Sequence, residues 1–244
     1  MKMKKYTPLL TILLIFGACK KDPVTVPVKF TETTYQTLST YDTSGRPSNL
    51  LPKDVITSDM KSFIQTSLPE KKDLRITNNA LLTTSAIADI RITQSSDVFI
   101  TYVSQVTNST NALAFYTYPT NNPPASAKDI KQIIYVFPSV GIGTKLEAGD
   151  KVKLGRFDVG TSIGFVILKD AWNTTTKSLD NNAVHFCSND VLNPEVDPNL
   201  KKHAVLINYA PENKVLIGFE NTDRTTDKCD HDFNDVVVYA TVKQ

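Results

Sequence analysis

The chain has little of several residue types on which common protein functions depend. Its 244 residues include three histidines, three cysteines and one tryptophan. No histidine has a recognisable base and nucleophile beside it, so we expect a binding protein rather than an enzyme. Lysine and arginine total 27 against 25 acidic residues, and no basic block marks a surface for nucleic acid or phospholipid headgroups.

The apolar stretch near the N-terminus is too short to span a membrane. It runs from Pro8 to Phe16 behind three lysines, whereas a spanning helix needs about 20 apolar residues. This arrangement predicts an export signal. The following Phe16-Gly17-Ala18-Cys19 resembles a bacterial lipobox, so we expect cleavage before Cys19 and a lipid on its thiol. A plain secretory signal with an incidental cysteine is the alternative.

The chain that remains after the predicted cleavage has almost no net charge, and its first part has few large apolar side chains. Removing residues 1–18 takes three lysines from the 27 basic side chains and none of the 25 acidic ones, which leaves a formal net charge of −1. Residues 23–55 are rich in threonine, serine and proline, which predicts a flexible tether. The predicted organisation is a signal peptide over 1–18, the lipidated cysteine and tether over 19–55, and a folded domain over 56–244.

Long helical patterns and internal repeats are both missing from the domain, which argues against a parallel α/β sheet, a propeller or a solenoid. One short helix is predicted over residues 55–68, with Ser58 as its cap and Pro69 after its end. Short β-prone runs separated by turn residues follow it. The predicted strands are 97–103, 112–118, 132–137, 151–157, 161–168, 183–186, 203–209, 214–219 and 236–242. We therefore expect an all-β, antiparallel sandwich of jelly-roll type.

Only two cysteines remain once Cys19 is assigned to the anchor. Cys187 and Cys229 suit one disulfide in an exported protein. The alternative is a zinc site, because His185 and His231 stand two residues from these cysteines, and side chains at i and i+2 of a strand share a face.

A second pattern, Gly160-Thr161-Ser162-Ile163-Gly164, matches the G-x-S-x-G of serine hydrolases. In those enzymes a strand precedes the serine and a helix follows it. Here residues 164–168 continue as a predicted strand, so Ser162 is expected to be a strand residue. A serine hydrolase using Ser162, or a zinc hydrolase using His185 and His231, is the alternative to a binding protein.

The densest group of oxygen donors lies between the last two predicted strands. Asp230, Asp232 and Asn234 stand at i, i+2 and i+4, the spacing with which a tight loop turns side-chain oxygens onto one Ca²⁺, and Asp235 follows directly. Glu220 ends the preceding strand and can reach back toward the loop. A solvated hairpin end, in which these side chains cap their own backbone, is the alternative.

The loop is not an EF-hand, so its ligand set needs other residues. Asp235 occupies the position of the EF-hand glycine, and Thr241 occupies that of the closing glutamate. The shell must therefore be completed from elsewhere in the chain. Asn193 and Glu195, in the segment Leu192-Asn193-Pro194-Glu195, are the first candidates.

The same region resembles a known family. Gly218-Phe219-Glu220-Asn221 and the later Asp230-His231-Asp232-Phe233-Asn234-Asp235-Val236-Val237 are similar to the G-F-E-D and D-R-D-F-N-D-V-V signature of a domain of unknown function in exported bacterial proteins, including LruC-type lipoproteins. Weaker similarity extends over residues 68–244, and Asn221 and His231 depart from the signature. The resemblance implies a secreted or surface β-domain that binds Ca²⁺ and acts in adhesion, without enzymatic activity.

Together these observations predict an outer-membrane lipoprotein, exposed at the cell surface and attached through its lipid. Its β-sandwich is expected to bind Ca²⁺ and to serve as an adhesion, carbohydrate-binding or assembly module, with a surface glycan or protein as partner. A purely structural envelope lipoprotein with a solvated acidic loop is the further alternative.

Overall fold

The computed structural model describes residues 25–83, 86 and 88–244. The predicted signal peptide and Cys19 lie outside the described residues. Within the described residues, no helix combines the length and the apolar character that a membrane span requires.

The main elements of the described chain are two large sheets, one two-stranded hairpin and two short α-helices. The helices are α1 (Ser58–Ser67) and α2 (Leu74–Thr77). The strands are β1 (Thr34–Thr37), β2 (Ile90–Arg91), β3 (Ser96–Gln105), β4 (Ala112–Pro119), β5 (Gln132–Phe137), β6 (Lys151–Phe157), β7 (Thr161–Lys169), β8 (Trp172–Asn173), β9 (Ser178–Leu179), β10 (Val184–Cys187), β11 (Ala204–Tyr209), β12 (Lys214–Phe219) and β13 (Val236–Lys243). Short 3₁₀ turns cover Asn79–Leu82, Ala127–Asp129, Asp190–Leu192, Pro198–Leu200 and Ala210–Glu212.

The strands form a sandwich, as predicted. The first sheet has the order β1-β5-β4-β7-β10, with β2 also paired to β7, and the second has the order β11-β12-β13-β3-β6. Pairing is antiparallel throughout both sheets except between β1 and β5, which run parallel. Strands β8 and β9 form a separate small hairpin. The chain crosses between the two sheets several times, so each sheet contains strands from distant parts of the sequence.

Strand β7 is covered by apolar clusters on both of its faces. In β7, Ile163, Phe165 and Ile167 belong to the cluster between the sheets, and the alternate residues Val166 and Leu168 belong to a second cluster on the outer face. Successive side chains of a strand point to opposite faces, so a strand covered on both faces must be apolar at nearly every position.

Helix α1 covers the outer face of the second sheet. Met60 and Ile64 pack with Val237 and Tyr239 of β13 in a third cluster. The helix is capped by Thr57, whose hydroxyl accepts a hydrogen bond from the Met60 amide at 3.2 Å, and not by the predicted Ser58, which is its first residue.

The prediction of a flexible tether is wrong for residues 25–55, which lie on the sandwich. Strand β1 extends the first sheet by pairing with β5. Phe30 is buried in the outer cluster of that sheet and stacks on His185 with ring centroids 4.4 Å apart. Leu38 and Leu50 pack against the central core. The segment has few large apolar residues, but several of them are packed against the clusters, which is enough to order it.

Candidate metal site

The acidic loop, residues 220–235, connects β12 to β13. The paired ends of these two strands hold its two sides. Phe219 pairs with Val236, so Glu220 and Asp235 leave adjacent strand ends together. The Asn221 amide donates a hydrogen bond of 2.7 Å to Asp235 Oδ2, which closes the base of the loop. The residues between these points therefore start and finish at a rigid edge of the second sheet.

The tip of the loop has an unusual backbone. His231 and Phe233 have φ values of 58° and 60°, in the left-handed region that non-glycine residues seldom adopt. The neighbouring segment holds them there: the Leu74 amide donates to the His231 carbonyl at 3.0 Å, and the Lys71 amide donates to Asp232 Oδ2 at 2.8 Å. Phe233 itself is fully buried beneath α1.

This backbone brings three carboxylates together. Glu220, Asp230 and Asp232 each place one oxygen so that all three oxygens lie within 4.8 Å of one another. Glu220 and Asp232 are buried, whereas Asp230 is exposed. Three negative oxygens at this separation repel one another unless they are protonated or share a cation.

Glu220 has an oxygen without a hydrogen-bond donor. Its Oε1 accepts a hydrogen bond of 3.1 Å from the Thr222 amide, but Oε2 is shielded from solvent and accepts none. The side chain is 1% exposed, and its near neighbours include the Asp235 carboxyl and the Cys229 thiol. A buried carboxylate oxygen in this state is costly, and a bound cation would supply the missing partner.

Burial also determines the charge state of the site. It raises the pKa of Glu220 well above its usual range, and repulsion from Asp235 adds to the effect. Burial raises the pKa of Asp232 to about 6, although the amides of Lys71 and Asn234 act in the opposite direction. The pKa of Asp235 is raised for the same first reason. In the absence of a cation, Glu220, Asp232 and Asp235 therefore hold protons at a pH where ordinary carboxylates do not.

The backbone of Glu220 is fixed by a buried histidine. The Glu220 amide donates to the His203 carbonyl at 2.9 Å, and His203 Nδ1 donates to the Glu220 carbonyl at 2.8 Å. His203 Nε2 lies 2.7 Å from Glu195 Oε1, and its ring stacks on Phe186 with centroids 4.0 Å apart. His203, which directly precedes β11, is thus a positioning residue for Glu220.

The two residues expected to complete the metal shell do something else. Glu195 faces His203, and Asn193 holds a turn: its side-chain oxygen accepts from the Cys187 amide at 2.6 Å, and its amide donates to the carbonyls of Cys187 and Lys201 at 2.7 Å each. Glu195 is not among the converging carboxylates, and only its Oε1 has a hydrogen-bond partner. Asn193 and Glu195 thus support the structure around the site, and their role as ligands stays a prediction.

Two further predicted ligands lie next to the three carboxylates. Asp235 is close enough to Glu220 for the two to interact electrostatically. The Asn234 amide nitrogen lies 3.5 Å from the Leu68 carbonyl, and its backbone amide donates to Asp232 Oδ1 at 3.1 Å. Its observed contacts thus hold the loop against the end of α1, and its role as a ligand stays a prediction.

The predicted disulfide is also wrong, because both thiols are free. Phe186 faces the central core, so the next residue, Cys187, points to the opposite face of the first sheet and packs in the outer cluster there. Cys229 lies in the acidic loop, with its sulfur 3.3 Å from His231 Nδ1. Burial raises the pKa of each thiol.

The alternative zinc site does not form either. His185 donates from Nδ1 to the Ala183 carbonyl at 2.8 Å and contacts the Tyr35 hydroxyl through Nε2 at 2.9 Å. His231 Nδ1 accepts a hydrogen bond of 3.1 Å from Arg224 Nε. Within the described residues, the one group of three or more potential metal-binding side chains is the carboxylate cluster.

Ser162 lies in β7 of the first sheet. The sequence predicts that it is a strand residue. It is fully buried in β7, and its hydroxyl is 2.9 Å from the Thr120 hydroxyl. A nucleophile elbow would present the serine at a sharp turn between a strand and a helix. Its geometry therefore gives no support to the serine-hydrolase alternative.

Comparison with known proteins adds a family without an assigned role. Residues 157–243 match the family model described as Domain of unknown function (DUF4114), well under half of the chain. The match begins at the last residue of β6 and includes β12, the acidic loop and all of β13. No curated protein and no solved structure matches the chain.

Proposed function

We propose that the protein is an exported, lipid-anchored β-sandwich that binds Ca²⁺ between Glu220, Asp230 and Asp232. The observation that carries the proposal is Glu220 Oε2, a buried oxygen without a donor on one of the three converging carboxylates. A cation there would neutralise the mutual repulsion of the three side chains and supply the missing partner of Glu220.

The donor set favours Ca²⁺ over other common metals. All three converging atoms are carboxylate oxygens, whereas Zn²⁺ sites usually include histidine or cysteine. Mg²⁺ requires a nearly ideal octahedron at about 2.0–2.1 Å, but Ca²⁺ accepts irregular shells at about 2.3–2.6 Å. Ligands that come from a strand end and from a loop with an irregular backbone suit the more tolerant ion.

Binding would join separate parts of the fold. Glu220 belongs to the end of β12, Asp230 and Asp232 belong to the loop, and the Lys71 amide attaches Asp232 to the connection between α1 and α2. Ca²⁺ would therefore stabilise the folded state by mass action, by about 2.7 kcal/mol at a concentration of 100 times Kd.

Thermal unfolding with and without Ca²⁺ tests the site. Because 1 kcal/mol corresponds to roughly 2–4 °C for a domain of this size, saturating Ca²⁺ should raise Tm by about 5–11 °C above its value in EDTA. The variant Asp230→Asn should lose most of this increase, since Asp230 is exposed and its change does not disturb the core.

The matched control is Asp227→Asn, an exposed acidic residue of the same loop that is not among the converging three. It should keep the full response to Ca²⁺. Equal midpoints in Ca²⁺ and EDTA for the unmodified protein would contradict the proposal.

The envelope location rests on the N-terminal sequence. A lipid on Cys19 would attach the sandwich to the outer membrane, and the Ca²⁺ site would then belong to a surface adhesion or assembly module. Mass spectrometry of the N-terminal peptide tests the lipid, and protease treatment of intact cells tests surface exposure. An unmodified Cys19 would overturn the anchoring but leave the Ca²⁺ site as a separate question.

A further inference from the structure

The cluster formed by Glu220, Asp230 and Asp232, called the acidic cluster below, is open to the surface on one side. Glu220, Asp230 and Asp235 form part of the wall of a surface depression of about 630 Å³. The depression lies between the loop after β12, the segment that follows β3 and the end of β7. This volume is within the range of about 300–1,000 Å³ typical of sites for small molecules.

The carboxylates alone would not complete the shell of a bound Ca²⁺. Three converging oxygens fill at most half of the roughly six to eight positions of this ion. Both oxygens of Asp232 already accept backbone amide hydrogen bonds, and so does Oε1 of Glu220. The remaining positions lie on the side of the exposed Asp230, where water or a ligand has access.

The walls of the depression combine apolar and hydrogen-bonding groups. Val106 and Ile142, which are 49% and 44% exposed, are among the few large aliphatic side chains at the surface. Hydroxyl and amide side chains stand beside them: Gln105, Thr107, Asn108, Ser109 and Thr222. Such walls suit a ligand with a small apolar face and several hydroxyl groups.

Three lysines stand around the depression. Lys71, Lys169 and Lys228 contribute to its lining. Lys169 is close enough to Asp235 to oppose the burial that raises the pKa of that carboxyl. Lys71 lies 3.7 Å from Glu70, at the edge of the same depression. Once Ca²⁺ neutralises part of the acidic cluster, these ammonium groups would favour an anionic ligand.

We infer that the depression binds an acidic saccharide through the proposed Ca²⁺ ion. A sugar carboxylate or a pair of neighbouring hydroxyls would occupy the open coordination positions, the carbon–hydrogen face of the ring would pack on Val106 and Ile142, and a second acidic group would meet Lys169 or Lys228. The inference rests on the proposed Ca²⁺ site and adds the class of ligand.

Calorimetry with uronic acid disaccharides tests this inference. The probes are the galacturonic, glucuronic and mannuronic acid disaccharides, each paired with its neutral counterpart, titrated in Ca²⁺ and in EDTA with matched blanks. At least one acidic probe should bind in Ca²⁺, lose all detectable binding in EDTA, and bind more tightly than its neutral counterpart.

Lysine variants locate the ligand. At least one of the variants Lys169→Gln and Lys228→Gln should weaken binding of the acidic probe about threefold to fivefold, the size of one exposed ion pair. Unchanged affinity for the probe in both variants would overturn this placement of the ligand. Lys61→Gln is the control, because Lys61 is exposed on α1 away from the lining of the depression.

The outcomes separate the two proposals. If Ca²⁺ binds but no acidic probe does, the saccharide inference is overturned and the Ca²⁺ site stands. If Ca²⁺ itself does not bind, the proposed function fails and this inference fails with it. Equal binding of the acidic and neutral probes overturns the acidic class of ligand.

Discussion

At the scale of single residues, the site depends on burying a carboxylate that the fold does not fully satisfy. Glu220 is held at its backbone by His203 and at one oxygen by Thr222, and its other oxygen lacks a donor. Asp232 differs, because both of its oxygens accept backbone amides. The two buried carboxyl groups therefore have separate tasks: Asp232 orders the loop, and Glu220 leaves an oxygen for a cation.

The raised pKa values predict an unusual dependence of stability on pH. For Asp232, whose pKa of about 6 exceeds its ordinary value, the folded state keeps a proton that the unfolded chain has lost. This contribution to stability is complete below the ordinary carboxyl pKa of about 4 and is lost as the pH rises through 6. Glu220 extends the loss to higher pH, because burial raises its pKa further.

Ca²⁺ should therefore stabilise the protein more at pH 8 than at pH 5. The physical reason is that Ca²⁺ competes with protons for the same oxygens. In the metal-free protein, His185 and His231 oppose the effect of the carboxyl groups below about pH 6.5, because burial lowers the pKa of each histidine to about 4. Urea unfolding with Ca²⁺ or EDTA at both pH values measures the effect of Ca²⁺. An effect of Ca²⁺ that is the same at pH 5 and pH 8 would contradict the assignment of these carboxyl groups as ligands.

At the scale of elements, the acidic loop is anchored by close packing on the strand that precedes it. A Cβ at Gly218 would lie 2.4 Å from the Phe233 carbonyl oxygen and 2.5 Å from Leu68 Cδ1. The loop and the end of α1 therefore approach the backbone of β12 more closely than any side chain permits. A glycine is required at this position because Phe233 and Leu68 lie where a Cβ would be, and not because of its own dihedral angles.

The variant Gly218→Ala should destabilise the protein by about 1–3 kcal/mol, the range for an added methyl group in a packed interior. Its affinity for Ca²⁺ should also fall, because Phe233 and the adjacent Asp232 must move. Urea unfolding in EDTA gives the first effect, and Ca²⁺ titration gives the second. Unchanged Ca²⁺ affinity together with lower stability would show that the loop moves independently of Gly218.

A second prediction at this scale concerns how much the packing of residues 25–55 on the sandwich stabilises the protein. Phe30→Ala should cost roughly 3 kcal/mol, because the ring is buried against His185 in the outer cluster. Val26→Ala is the matched control, since Val26 is 74% exposed and its truncation should change stability by less than about 0.5 kcal/mol. If both variants changed the free energy of unfolding by the same small amount, the original prediction of a flexible tether would be correct.

At the scale of the whole molecule, docking of the N-terminal segment limits the distance from the proposed anchor. The Thr25 hydroxyl donates to the Asp223 carboxylate in the loop after β12. Thr25 is six residues after Cys19, a length that spans at most about 21 Å when fully extended. If Cys19 carries a lipid, this face of the sandwich is held close to the bilayer.

Fluorophores on the lipidated protein test this orientation. A label at Asp227→Cys should be quenched strongly by quenchers on lipid headgroups, whereas a label at Gln244→Cys, which follows β13 at the opposite end of the sandwich, should not. Inserting a flexible 12-residue linker after Cys19 should reduce the difference. Equal quenching at both positions without the linker would contradict the docked arrangement.

Much of the sandwich follows from local sequence. The bounds predicted for β5, β6 and β12 coincide with those observed, and most other predicted strands differ by one or two residues at an end. These strands are long, apolar and separated by turn residues. Strand β1 was missed because it is short and lies at the edge of its sheet, where its side chains are mostly exposed.

The sequence by itself determined that the chain is all-β and that acidic oxygens gather between the last two strands, because alternation and spacing are local properties of a chain. Only the tertiary structure decided which of them converge. It placed Asn193 and Glu195 Oε1 in hydrogen bonds around the site, and it put Cys187 on the outer face of the first sheet, away from the acidic loop that holds Cys229. It also left Glu220 with an oxygen that lacks a donor. Burial and partners depend on residues that are distant in sequence, so no local pattern contains them.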